Sequence, residues 1–144
     1  MMSDSAQIRS KHGWVHTYCF IWSLIIRLCM SYLPFKYYRR LLGEQQKKAI
    51  QDVTDEQLKQ AEHIKDIVEE VCKGTPWKSE CMAQAIICKR LLKKKGLQTT
   101  IYLGIAKDDN NYQKLKAHAW LMLGEHVLTG AYGYKQYQVA NFYS

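Results

Sequence analysis

Apolar residues recur at helical spacing through the first two thirds of the chain and switch to short β-branched and aromatic runs after Gly96. The clearest helical stripe is Leu58, Ala61, Ile64, Ile67, Val68 and Val71, three and four residues apart on one face. Thr54 and Gln57 in front of it form a T-x-x-Q capping box, in which each side chain satisfies an otherwise unpaired amide. Gly74 ends that helix. Upstream, an apolar run predicts a helix from Trp14 to Leu33, halted by Pro34 because the residue before a proline resists the helical region. Phe35–Leu42 reads as a short helical piece closed by Gly43, and residues 1–13, polar and aperiodic, as a frayed tail.

After the turn Gly74-Thr75-Pro76, Ser79 can cap a helix beginning at Glu80, and Gly96 sits where a left-handed residue closes it. Met82, Ala83, Ala85, Ile86, Ile87, Leu91 and Leu92 cover too wide an arc for a surface helix, so this one is predicted to be central and buried. Four strands should follow, over residues 99–107, 116–123, 126–130 and 137–143, with turns at 108–111 and at Gly124-Glu125. Helices first and an antiparallel sheet second make an α+β domain. It spans residues 14–144 as a single unit, with a helical part over 14–74 and the central helix plus sheet over 75–144.

A length of 144 residues suits one domain, and 47% hydrophobic residues, with ten Tyr and four Trp, suffice for its core. The formal charge of +8, from 21 basic and 13 acidic side chains, fits nucleic acid, an anionic membrane surface or an acidic peptide. Clusters such as Lys36, Arg39 and Arg40, or Lys93, Lys94 and Lys95, read first as solvated helix faces. Without a recognised nucleic-acid motif, no nucleic-acid partner is expected. Five cysteines, no CxxC and no signal-peptide cleavage site predict reduced thiols and a cytoplasmic protein, with neither metal nor cofactor. In the apolar run, His16 and Arg27 leave only ten uncharged residues between them, against roughly 18 to 20 for a membrane span. A buried helix is the expectation, and its aromatic residues leave weak membrane contact through residues 14–35 open.

Two residues stand out chemically. Cys81 is predicted at the second position of the central helix, where unpaired amides and the positive end of the helix dipole favour a thiolate and can hold an oxyanion. His118, in Ala117-His118-Ala119-Trp120, has small neighbours that leave room beside the imidazole. Strand alternation puts it with Trp120 and Met122, on a face expected to pack on the Cys81 helix. A cysteine at a helix start followed by a histidine on the second strand is the order of the papain and transglutaminase arrangement, in which the imidazole takes the thiol proton and returns it to the leaving amine. The plainer readings are a small apolar cysteine and a satisfied core histidine. Trp77 and Trp120 would flank the pair, either walling a peptide groove or simply filling core.

From Pro76 onward the chain resembles the protease half of the split B enzyme of lasso-peptide biosynthesis, a transglutaminase-like cysteine protease. The residues are Pro76-Trp77, Ser79-x-Cys81, the Ala85–Leu92 helix, Lys95-Gly96, Tyr102-Leu103-Gly104, Ala117-His118-Ala119-Trp120 and Val127-Leu128-Thr129-Gly130. Leu33-Pro34 and Leu42-Gly43 resemble the family's N-terminal part. The resemblance implies a peptidase that removes the leader from a ribosomally made precursor, with Cys81 as nucleophile and His118 as base. It implies three partners: a separate leader-binding recognition protein, the lasso precursor, and an ATP-dependent cyclase. Exposed apolar side chains within residues 14–42 are a candidate docking surface. A transglutaminase-like acyltransferase, an inactive scaffold and a basic binding module are the alternatives. Many relatives carry an aspartate about twelve residues after the histidine, where this chain reads Leu128-Thr129-Gly130. An uncharged acceptor must then orient His118: the Thr129 hydroxyl, a nearby backbone carbonyl, a water, or Asn141. The nearest acids in sequence, Glu125, Asp108 and Asp109, are not expected to serve.

Overall fold

A computed structural model describes residues 13–45, 52–75, 81–108 and 110–144. Four α-helices come first: α1 (Gly13–Tyr32), α2 (Phe35–Tyr38, continued by a 3₁₀ turn over Arg39–Leu41), α3 (Asp55–Lys73) and α4 (Cys81–Lys94). Then come β1 (Thr100–Asp108), β2 (Asn111–Leu123), β3 (His126–Val127) and β4 (Gln138–Tyr143), in one antiparallel sheet of order β3-β2-β1-β4. The architecture is α+β. Residues 1–12 of the expected tail lie outside the described residues.

The capping box before α3 is formed: Gln57 N donates to Thr54 Oγ1 at 3.2 Å, and Thr54 N donates to Gln57 Oε1 at 3.1 Å. The stripe behind it buries Ala61, Ile64, Ile67, Val68 and Cys72, with Leu58 and Val71 half-buried at its margins. Helix α4 is central because it is packed on two sides, by α1 and α3 and by the sheet. That explains its wide apolar arc of Ala83, Ala85, Ile86, Ile87, Cys88, Leu91 and Leu92. Gly96, at φ +79°, closes it, and Leu97 N returns to Leu92 O at 3.0 Å.

Helix α1 departs from the expected buried helix, for only one stripe of it, Val15, Cys19, Ser23 and Ile26, is covered. Its aromatic edge is clamped to α4: the Arg90 guanidinium lies 4.0 Å from the Trp22 ring centroid, Arg90 Nε donates to Tyr18 Oη at 3.1 Å, and Lys94 Nζ is 4.3 Å from the Tyr18 ring centroid. Phe20, Ile21, Leu24, Ile25 and Leu28 face outward, while Met30 leans on the core. Among the described residues, α1 is the one helix long and apolar enough to cross a membrane.

Strand β2 begins five residues earlier than its hydrophobic pattern suggested and pairs with β1 so that Gly104 faces His118. The third strand is shorter than expected, and its turn is Gly124-Glu125, with Met122 paired to Val127 and Leu123 to His126. Beyond it the chain bulges, since Leu121 accepts from Leu128 N at 2.8 Å and donates to Thr129 O at 3.1 Å. Ile101, Leu103, Leu121 and Leu123 join the core formed with α4. At the far edge, Glu44 and Ser144 exchange backbone hydrogen bonds of 2.6 and 3.0 Å, and Gln45 bridges to Tyr143. The helical part is thereby fastened to β4.

Candidate active site

Cys81 is the first described residue of α4, at the end where backbone amides lack intrahelical partners. Ala119 N donates to its sulfur at 3.4 Å, so the thiol meets β2 where β3 no longer pairs with that strand. Cys81 is half-buried, whereas Cys19, Cys72 and Cys88 are buried. Burial pushes the Cys19 thiol up to about 12 and raises the Cys88 thiol as well. Those two are both inaccessible and held protonated. Ser79, Glu80 and Trp77 lie outside the described residues, and with them the expected cap and one wall of the expected groove.

His118 is one residue from the amide that meets Cys81. Its Nε2 lies 2.7 Å from Gly130 O. A carbonyl can only accept, so Nε2 carries the hydrogen and the lone pair of the neutral ring is on Nδ1. The orienting group is therefore the Gly130 carbonyl, twelve residues after the histidine, and not the Thr129 hydroxyl. Thr129 Oγ1 is buried without a hydrogen-bond partner among the described residues. The bulge ties the Thr129 backbone to Leu121, and Gly130 turns at φ +73° to present its carbonyl. Only glycine fits there: a Cβ would collide with the Ala119 carbonyl oxygen and come within 3.0 Å of Trp120 Cα.

The ring faces of this site belong to an aromatic layer on the sheet surface away from α4. His118 stacks on Tyr137 at 5.0 Å and Trp120 at 6.0 Å between centroids. Trp120 in turn stacks on Tyr102 at 5.7 Å and leans on Tyr134 at 5.6 Å. Two expectations are corrected here. The face bearing His118 and Trp120 does not pack on the Cys81 helix, since the core takes the alternate residues Leu121 and Leu123. Trp120 is also no groove wall: at 3% exposure it is a buried plate, covered by the tyrosines. Gly104 makes the layer possible, since a Cβ there would lie 2.7 Å from both the Trp120 ring and Tyr137 Cβ. Tyr137 and Gly104 escaped the sequence reading as site residues, whereas a backbone carbonyl near Gly130 stood among its candidate acceptors. The one signal for Gly104 was its place inside an otherwise β-branched strand.

A family model for the transglutaminase-like superfamily matches residues 20–141. The chain belongs to that superfamily. Its members include cysteine peptidases and acyltransferases, and no curated protein and no solved structure matches the chain.

In this transglutaminase-like domain the site joins three elements: the helix start bearing Cys81, the strand bearing His118, and the turn bearing Gly130. Chemically it provides a thiol under an N–H donor and an imidazole of fixed tautomer. The amides of the helix's first turn supply the donors an oxyanion needs. A separate cavity of ≈ 750 Å³ lies at the other end of α4, lined by Arg40, Lys89, Arg90 and Lys93, and includes neither Cys81 nor His118.

Proposed function

We propose that this protein is a cytoplasmic cysteine peptidase that removes the leader from a lasso-peptide precursor. The observation that carries the reading is the seat of Cys81 against Ala119, inside Ala117-His118-Ala119-Trp120, with His118 fixed by Gly130. Among the described residues no hydrogen bond joins His118 to Cys81. In this reading the imidazole therefore takes the thiol proton around the strand through a water, and the Cys81 thiolate attacks the carbonyl at the end of the leader. The tetrahedral oxyanion collapses as the imidazolium protonates the departing amine, leaving a thioester on Cys81. Water, deprotonated by the same imidazole, then releases the leader as its acid.

A separate leader-binding protein presents the precursor, and an ATP-dependent cyclase uses the freed amine. The test is mass spectrometry of a candidate precursor incubated with this chain and its recognition protein. Two products whose masses sum to precursor plus one water are expected, and none with Cys81→Ala. A product joined to an added amine would instead make it an acyltransferase, and an intact precursor with every candidate would sink the reading.

A further inference from the structure

From Gly13 to Gly43 the chain contains no Asp or Glu, while it carries Arg27, Lys36, Arg39 and Arg40. The outward side of α1 is two adjacent rows at i+4 spacing: Phe20, Leu24 and Leu28 in one, Ile21 and Ile25 in the other. These five are 38–50% exposed. Trp14 and Tyr32 stand exposed at the two ends of the helix, and Leu33, Phe35 and Tyr37 continue the surface into α2. The opposite stripe is committed to the core and the aromatic edge to Arg90 and Lys94, so this orientation of α1 is fixed.

We propose that this face lies on an anionic lipid bilayer, as a surface contact and not a span. Charge and composition select this occupant. Aliphatic side chains fill the middle of the face, ring-bearing ones stand at its ends, and cations adjoin it in a stretch from Gly13 to Gly43 that contains no acid, the pattern an anionic membrane interface attracts. Lys36, Arg39 and Arg40 are exposed, directly after the helix, where they can meet lipid phosphates. A span would have to draw Val15, Cys19 and Ile26 out of the core, at the expense of the packing that holds α1 to α3 and α4.

The proposal is independent of the peptidase reading. The full chain is mixed with vesicles of phosphatidylcholine alone, or with 30% phosphatidylglycerol, a composition of about physiological charge, and floated on a density gradient. Binding to the anionic vesicles only, weakened by salt, is expected. Lys36→Gln, Arg39→Gln and Arg40→Gln together should lower partitioning at least about tenfold. Leu24→Glu with Ile25→Glu should abolish it while the circular dichroism spectrum is kept. Absence of binding to anionic vesicles overturns the proposal. So does a folded Leu24→Glu, Ile25→Glu variant that still floats, or a wild-type dimer in light scattering that this variant splits, which would make the face a contact between copies.

Discussion

Gly130 contributes no side chain, yet its carbonyl sets which nitrogen of His118 holds a proton. Gly130→Ala must shift the turn to relieve its collisions, and a misplaced imidazole should cost roughly a hundredfold in kcat/KM. Thr129→Val is the control, because it removes an unpartnered buried hydroxyl at little change in shape. Activity should persist, and stability should be unchanged or raised by about 1 kcal/mol, read as a small gain in Tm. Glu125→Ala and Asp108→Ala should likewise keep most activity. The thiols separate by burial: iodoacetamide near neutral pH should label Cys81 first and half-buried Cys29 more slowly. Cys19 and Cys88 should react only on unfolding, as peptide mass mapping would show.

Among the elements, α4 carries the most contrast, with the candidate nucleophile at one end and a basic cluster at the other. Lys89 Nζ donates to Thr99 O at 3.0 Å, and burial, with Lys93 nearby, lowers its ammonium to about 8. The folded state thus holds this proton less tightly than the unfolded chain, whose lysine titrates near 10.5. The resulting destabilisation is full below pH 8 and is relieved as pH rises from 8 towards 10.5. Relative to Lys89→Met, the wild type should therefore gain in Tm across that interval. The helices were legible because capping chemistry and period are local: Thr54, Gln57 and Gly96 announce their own roles. The sheet was legible as strands but not as faces. Which side of β2 meets α4 depends on how the sheet docks, which no single strand encodes, and the bulge opposite Leu121, beyond the paired residues of β3, left no mark in the hydrophobic pattern. Cys81 was readable as a helix-start residue and His118 as a strand residue, but the face that His118 takes was not. A carbonyl could be named as an acceptor only as a class, since it has no side-chain signature.

At the scale of the whole molecule, the two halves share one core, since residues of α1, α3, α4, β1 and β2 belong to a single cluster. The exchange between Glu44 and Ser144 adds a direct tie. Helical and sheet parts should unfold in a single transition, with far-ultraviolet circular dichroism and tryptophan fluorescence giving coincident urea curves. Two separated transitions would show that α4 does not couple them.

The Gly130 acceptor also bears on how such a site changes over generations. A codon change alters a side chain, and this acceptor is a peptide oxygen, so no substitution removes it while leaving the turn in place. Variation at the position is filtered by shape alone, and the function is hidden inside what looks like a requirement for a bend. Its chemistry can be altered by itself only by rebuilding the main chain, with an ester in place of the amide between Gly130 and Ala131. The oxygen would then stay in position with its basicity reduced.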